Sequence, residues 1–211
     1  MGIGYLRERF PAWLFGPLSV ALVAIAFSGG PWPELGRTIL SGVFAVFLLL
    51  QFRLWDDLAD LPGDRQSHPQ RILPRTQSLR PFRGALWALG AVCFSLAAAL
   101  DPSGGKIAQL AGLDLAFFLW YRFRPEHYVL AYHAVLLKYP VFLYLLFPAP
   151  AFPALARRSV AMGMVYLAAC VYEVLHDTGL RKTPLARRAL AVEAVLLGGL
   201  GLAAIFHGGK S

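Results

Sequence analysis

Charged residues are scarce in this chain. Asp, Glu, Lys and Arg make up only 15% of its 211 residues, whereas an average soluble domain has about 25%. Hydrophobic residues make up 57%, and they recur in long runs along the whole sequence. A cleaved signal peptide would explain one N-terminal run and does not account for this pattern. The composition predicts an all-helical integral membrane protein.

The chain also has few cysteines. Cys93 and Cys170 form neither a disulfide framework nor a metal-binding cysteine spacing. Each lies inside an apolar segment, GAVCFSL or LAACVYE. Because a buried thiol in such a segment behaves as a small hydrophobic residue, we expect both side chains to be buried.

The formal net charge of +8 raises the question of a nucleic-acid partner. The sequence has no basic arm and no aromatic-basic module of the kind that binds nucleic acid. Lys and Arg residues retained on the cytoplasmic side of a membrane raise the net charge in the same way. We therefore expect the lipid bilayer as a partner and no nucleic acid.

Seven apolar segments approach the roughly 20 residues that a helix needs to cross a bilayer. Helix-breaking sequences such as GGPWP, DPSGG, PAPAFP and KTP lie between segments. Since there is no clear repeat and no soluble domain, we predict a bundle of about seven transmembrane helices in one domain, 1–211. The segments are 12–29, 37–55, 84–101, 106–122, 127–148, 158–176 and 188–207.

Most Lys and Arg residues near the segment ends fall on the side where odd-numbered segments begin. By the positive-inside rule this side is cytoplasmic. We therefore predict a multi-pass protein of the inner or plasma membrane, with the N-terminus in the cytoplasm and the C-terminus outside. The first residues, LRERFPAWLF, are typical of a short amphipathic helix at the membrane interface.

Two clusters of carboxylates follow apolar segments that end on the predicted cytoplasmic side. The stretch RLWDDLADLPGDR follows the apolar run SGVFAVFLLLQF of the second segment, and EVLHD lies at the end of the sixth. Spacings of three or four residues align side chains on one helix face, although Pro62-Gly63 is expected to unwind the chain before the last carboxylate of the first cluster. The clusters contain Asp56, Asp57, Asp60 and Asp64, and Glu173 and Asp177.

Like charges at this spacing repel each other, and a helix C-terminus disfavours negative charge further. A divalent cation would relieve both costs, and carboxylate ligands suit Mg²⁺ or Mn²⁺. Mg²⁺ usually completes its coordination with water and substrate phosphate oxygens. The clusters therefore predict a Mg²⁺-bridged diphosphate at the membrane interface. Surface ion pairs with nearby arginines are the alternative interpretation.

The order of these motifs resembles that of the UbiA superfamily of intramembrane prenyltransferases. The segment Asp56–Arg65 is similar to the first family motif, NDxxDxxxD, with Asp replacing Asn, and the basic stretch His68–Arg71 follows it. The segment Glu173–Asp177 is similar to the second motif, DxxxD, with Glu replacing the first Asp. Tyr121–Arg124 lies where the family carries a Tyr-x-Lys-Arg-like element. The family has nine helices rather than seven, so a homodimer or an incomplete member is a further expectation.

The resemblance implies transfer of an isoprenoid chain from a prenyl diphosphate to an aromatic or other lipophilic acceptor, with Mg²⁺ held by both motifs. It assigns catalysis to Asp57, Asp60, Asp177, Arg65 and Lys182, substrate binding to Tyr121, Arg122, Arg124, Lys138 and Arg181, and metal binding to Asp56, Asp57, Asp60, Asp64, Glu173 and Asp177.

Ionisable residues inside the predicted spans are functional candidates by default. Asp114, His133, Lys138 and Glu193 belong to this group. Lys138 paired with Asp114 in a purely structural contact is one interpretation, and a role in positioning or deprotonating the acceptor is the other. Pro140, two residues after Lys138, predicts a kink.

Other functions share some of these features. A UbiA-like terpene cyclase or an inactive scaffold would carry the same motifs. A CDP-alcohol phosphotransferase-like enzyme is also small and helical, but its DGxxAR element is missing from this sequence. A small membrane transporter with a carboxylate cation site should place its carboxylates near the bilayer midplane, whereas these lie at the ends of the spans.

Overall fold

A computed structural model describes residues 2–28, 31–123, 131–148 and 155–208. Within these ranges the regular structure consists of helices and contains no strand, which confirms the all-helical prediction. The chain divides into two compact units, Met1–Gly112 and Leu113–Ser211.

The first unit contains six whole helices and the first part of a seventh, which continues into the second unit. They are α1 (Ile3–Arg9), α2 (Ala12–Phe27), α3 (Leu35–Ala59), α4 (Leu61–Ser67), α5 (Ile72–Arg75), α6 (Arg80–Leu100) and α7 (Gly105–Phe123). The apolar helix α3 packs against both α2 and α6. It therefore forms the centre of this unit.

The N-terminal helix α1 turns away from α2 by 67°. Phe10 lies before Pro11, and a residue in that position avoids the helical conformation, so the two helices cannot join into one. α1 packs on α5, and its Tyr5 is buried in a core with Leu54 and Phe82. The rings of Tyr5 and Phe82 meet edge to face, 5.4 Å between centroids. The N-terminal segment is thus part of the core of the first unit.

The Pro62-Gly63 step does not unwind the chain, and that expectation from the sequence is wrong. α3 ends at Ala59 and α4 begins at Leu61, so the interruption falls at Asp60. Pro62 lies in the first turn of α4, where the missing N–H costs little because the first amides of a helix have no partner within it. The amide of Asp64 still donates to the carbonyl of Asp60 at 2.9 Å.

The second unit contains the remaining helices. They are α8 (Ala131–Leu136), α9 (Lys138–Leu146), α10 (Leu155–His176), α11 (Thr178–Lys182) and α12 (Pro184–Gly208). α10 packs against α8, α9 and α12. A core of Tyr132, Leu136, Cys170, Val174 and Ala186 lies among them.

A one-residue break in the helix lies near Pro140, where the sequence predicts a kink, and the bend itself stays a prediction. α8 ends at Leu136 and α9 begins at Lys138, with Leu137 between them. Proline has no N–H to donate to the carbonyl four residues earlier, and its ring clashes with that carbonyl. For Pro140 that carbonyl belongs to Leu136, which is the last residue of α8.

Helices occupy most of every predicted span within the described ranges, although residue 29 of the first span and residues 127–130 of the fifth lie outside them. Three of these helices, α3, α6 and α10, are long and apolar enough to cross a membrane on their own. The bent pair of α1 and α2 provides a fourth candidate if it acts as one span. The described residues therefore support three to four candidate spans, consistent with a membrane protein, and the bundle of seven remains a prediction.

Candidate functional site

Asp57 lies at the centre of an ion-pair network in the first unit. We call Tyr5, Arg9, Arg53 and Asp57 the Asp57 network. Arg9 donates from Nε to Oδ2 of Asp57 at 2.8 Å and from Nη2 to Oδ1. The Tyr5 hydroxyl donates to Oδ2 at 2.8 Å, and Nη2 of Arg53 lies 3.5 Å from Oδ1. Only 4% of the Asp57 side chain is exposed, so protein groups replace water around this carboxylate.

Helix spacing places the members of the Asp57 network. Tyr5 and Arg9 are four residues apart on α1, and Arg53 and Asp57 are four apart near the end of α3. Residues at this spacing share one helix face, so α1 presents a hydroxyl and a guanidinium together to the end of α3. A two-point guanidinium–carboxylate pair is among the stronger hydrogen-bonded contacts in proteins.

Asp64 takes part in a second ion pair of the first unit. Nη1 of Arg71 donates to both carboxylate oxygens of Asp64, at 2.7 and 2.9 Å. Nδ1 of His68 lies 3.5 Å from Oδ1 of Asp64. The alternative interpretation, an ion pair with a nearby arginine, therefore describes Asp64. Asp57 also pairs with arginine, but it is buried, and its partner Arg9 is distant in the sequence.

Asp57 does not fit the role of a Mg²⁺ ligand in this arrangement. Mg²⁺ binds carboxylate oxygens at about 2.1 Å and keeps several waters, but both oxygens of Asp57 accept hydrogen bonds from Arg9 and little of the side chain is exposed. Asp56, on the same turn of α3, is also buried. Asp60 is exposed and has the accessibility that a hydrated ion needs.

The second predicted motif lies in the second unit, where α10 ends. Glu173 is in the last turn of α10 and is half-buried. Asp177 is exposed and caps α11, because its Oδ1 accepts hydrogen bonds from the amides of Gly179 at 2.7 Å and Leu180 at 3.0 Å. Aspartate is a favoured residue at this capping position. Asp177 therefore has a structural role whether or not an ion binds there.

Most of the cations predicted to bind the substrate lie at the surface. Exposed side chains suit a diphosphate that approaches from solvent or from the membrane interface, but they equally suit a positively charged cytoplasmic surface. Arg124 lies outside the described residues. The exposed cations are Arg65, Arg122, Arg181 and Lys182.

Two further predicted substrate contacts are less accessible. Lys138 is only 4% exposed, at the first position of α9, and its Nζ lies 5.6 Å from the centroid of the Tyr139 ring. Tyr121 is half-buried, and its ring meets that of Phe117 edge to face at 5.7 Å. Lys138 therefore belongs to the interior of the second unit.

The second unit also brings together three residues that the motifs do not include. His133 of α8, Cys170 of α10 and Glu193 of α12 place their ligand atoms within 4.8 Å of one another, and we call them the His133 cluster. Nε2 of His133 lies 3.2 Å from Oε1 of Glu193, and Nδ1 lies 3.6 Å from Sγ of Cys170. Both Cys93 and Cys170 are buried and neither belongs to a disulfide, as expected, and Cys170 contacts polar side chains.

Sequence reasoning missed two partners of Asp57, Tyr5 and Arg9, and the third member of the His133 cluster. Arg9 lies 48 residues before Asp57, and local spacing carries no information about such a contact. The sequence does point to two members of the cluster, since His133 and Glu193 are ionisable residues in apolar segments. Cys170 was interpreted as a small hydrophobic residue, although it occurs in the same kind of segment.

No protein-family model matches this chain, and no curated protein or solved structure matches it significantly. The resemblance to the UbiA superfamily therefore rests on the sequence motifs alone, and membership of that superfamily stays a prediction.

Proposed function

We propose that this protein binds a prenyl diphosphate together with Mg²⁺ and transfers the prenyl chain to a lipophilic acceptor. The Asp57 network carries the proposal, because it holds two arginine side chains in place where an apolar helix ends. By the positive-inside rule that end of α3 faces the cytoplasm, which is the side where a water-soluble diphosphate group would lie.

In this proposal Asp57 is a positioning residue and Arg9 binds the substrate. A guanidinium has five N–H donors, and Arg9 uses two of them on Asp57. The other donors point away from this carboxylate in the fixed fork of the guanidinium and suit phosphate oxygens. Because Asp57 already orders Arg9, less conformational entropy is lost when a phosphate binds.

The proposed Mg²⁺ ligands are the more accessible carboxylates. Asp60 belongs to the first motif, and Glu173 and Asp177 belong to the second; the buried Asp56 and the paired Asp64 would need to rearrange to join them. A bound ion would add positive charge next to the diphosphate leaving group. Arg65 and Lys182 are proposed to stabilise the same developing charge, as preorganised cations do in other enzymes.

Release of diphosphate by the purified protein in lipid nanodiscs tests this function. A panel of prenyl diphosphates is supplied with Mg²⁺ or with a chelator. Asp60→Asn and Asp177→Asn should each lower the Mg²⁺-dependent rate by about 100-fold, the cost of removing one stabilising group from a transition state. Asp101→Asn is the matched control, since Asp101 also follows an apolar helix, α6, but lies outside both motifs. Equal rates in all three variants would exclude the proposed roles.

An inactive scaffold of the same architecture is the second candidate. It is favoured by one observation, the hydrogen bonding of both Asp57 oxygens to Arg9 and Tyr5. In a scaffold this contact would serve only to fasten α1 to α3. The scaffold predicts no diphosphate release from the folded wild-type protein with any donor in the panel, whereas the transferase predicts release with at least one.

A further inference from the structure

Three packed helices of the second unit each supply one side chain to the His133 cluster. α10 packs against α8 and α12, and one ligand atom from each of the three residues lies within 4.8 Å of the others. The three side chains offer a thiolate, an imidazole and a carboxylate. Zinc is bound in proteins by these three groups, whereas Mg²⁺ is bound by oxygen ligands.

Glu193 provides a second, independent indication of a bound cation. Only 5% of this residue is exposed. Its Oε1 lies close to two groups, Nε2 of His133 at 3.2 Å and the hydroxyl of Tyr132 at 3.3 Å. Its Oε2 is buried and has no hydrogen-bond partner among the residues that the structure describes. A buried acceptor without a partner is costly, and more so when it is charged, so a cation at this oxygen would remove an unfavourable contribution.

Both ring nitrogens of His133 have polar neighbours. The hydroxyl of Tyr166 lies 3.0 Å from Nδ1. A metal-binding histidine usually engages its other ring nitrogen in a hydrogen bond, which fixes the ring and its tautomer. Tyr166 provides such a hydrogen bond. The thiol of Cys170 lies near the same nitrogen, with Sγ 3.6 Å from Nδ1, and Oε1 of Glu193 lies 3.2 Å from Nε2. The imidazole therefore has to rotate before one of its nitrogens, the thiolate and the carboxylate bind one ion.

We propose that His133, Cys170 and Glu193 form a zinc-binding site in the second unit. Zinc–ligand distances of about 2.0 to 2.3 Å place tetrahedral ligand atoms roughly 3.5 Å apart. The ligand atoms of the cluster lie within 4.8 Å of one another, so side-chain rotations that move them by about 1 Å complete the site. The proposal does not depend on prenyl transfer, because none of the three residues belongs to the acidic motifs.

An open cleft of about 400 Å³ leads to this site. His133, Glu193, Tyr166 and Arg188 are among the residues that line it. Water or a small ligand in the cleft would supply the fourth ligand of a tetrahedral zinc ion. Cys170 itself is 0% exposed, so a substrate in the cleft does not reach its sulfur, which argues against a nucleophilic thiol.

Cobalt substitution tests the proposal on the full-length protein in detergent. Co²⁺ bound by a thiolate gives a charge-transfer absorption band, and we expect one equivalent of Co²⁺ to produce that band in the wild-type protein. Zn²⁺ should displace it. Cys170→Ala should abolish the band, and Glu193→Gln should raise the Kd by more than the 10- to 100-fold typical of an outer-shell change. Cys93→Ala is the matched control, because Cys93 is the other buried cysteine and should leave the band unchanged.

X-ray absorption of the zinc-loaded wild-type protein gives a readout that needs no variant. The expected spectrum shows one sulfur ligand together with nitrogen and oxygen ligands. A wild-type protein that binds no Co²⁺ or Zn²⁺, or a spectrum without a sulfur ligand, would overturn the site. A charge-transfer band that survives Cys170→Ala would do so as well, and the cluster would then be a hydrogen-bonded structural contact.

Discussion

Arg9 of α1 and Asp57 of α3 form a two-point ion pair that joins the N-terminal helix to the end of an apolar helix. Asp57 is nearly inaccessible, and the Tyr5 hydroxyl donates to the same carboxylate. The pair therefore changes the interpretation of the first acidic motif. Asp57 of this motif binds the side chains of Arg9 and Tyr5. Asp60, which is exposed, is the stronger candidate for a Mg²⁺ ligand.

Removing both partners of this pair should destabilise the fold by less than the sum of the two single removals. A buried charge without its partner costs about 3 to 5 kcal/mol, whereas replacing a buried pair by apolar residues is often neutral. We expect Arg9→Met and Asp57→Leu each to lower the free energy of unfolding by about 3 kcal/mol, and the double variant to lose less than their sum. Denaturant unfolding in mixed micelles, followed by circular dichroism, measures these values.

Arg65→Met is the control for this comparison of single and double variants. Arg65 is exposed at the end of α4, and exposed ion pairs contribute about 0 to 1 kcal/mol. Its replacement should therefore leave stability nearly unchanged. Additive effects of Arg9→Met and Asp57→Leu would mean that the two side chains do not interact in the folded protein.

The predicted orientation in the membrane is open to chemical labelling. Ser67 follows the second predicted span and should face the cytoplasm, while Ser103 follows the third and should face outside. Both residues are exposed, and the native cysteines are buried. A membrane-impermeant maleimide should label Ser103→Cys in intact cells and Ser67→Cys only after lysis. The reverse labelling pattern would show that the topology is inverted. Labelling of both residues in intact cells would show that the chain between them does not cross the membrane as predicted.

Asp101, in the turn between α6 and α7, should titrate below the usual range of an aspartate. The Ser103 hydroxyl and the Lys106 amide donate hydrogen bonds to its carboxylate and hold its pKa down. Because the pKa is lower in the folded state, this carboxylate stabilises the fold above the ordinary aspartate pKa, and the contribution is lost as the pH falls through the lowered value.

Ser103→Ala removes the largest cause of that shift. The pKa of Asp101 should then rise toward its ordinary value, while Ser67→Ala, a change at a distant exposed serine, should leave it where it is. Carbon-detected NMR of the aspartate carboxyl groups over a pH series measures both. An unchanged pKa in Ser103→Ala would show that the hydroxyl does not hold the carboxylate in solution.

The positions of the long helices could be predicted because apolar length and breaker residues are local properties of the sequence. Pro140 lies near a break in the fifth segment, and the segments near α2, α3 and α6 end within a few residues of their helices. The effect of Pro62 on the helix could not be predicted from local sequence. Proline breaks a helix when it lies in the interior but is tolerated in the first turn. Only the location of the helix start distinguishes these cases.

The contacts of the candidate sites were less predictable than the helices. The local sequence around a carboxylate does not show whether it binds a metal ion or an arginine. That depends on which groups the rest of the fold places next to it. Arg9 and Asp57 meet through the bend at Pro11 and the packing of α1 on α5. The meeting of Cys170 with His133 and Glu193 likewise depends on how α8, α10 and α12 pack.

The distance between the two acidic motifs decides whether one diphosphate can bridge them. Prenyl transfer by one bridged diphosphate requires both motifs to face the same side of the membrane. Spin labels at the exposed Gln66 and Thr178, measured by pulsed electron paramagnetic resonance in nanodiscs, report this distance. We predict a value well below the roughly 30 Å thickness of the hydrocarbon core, shortened further by Mg²⁺ and a prenyl diphosphate analogue. A value above that thickness would contradict the proposed function.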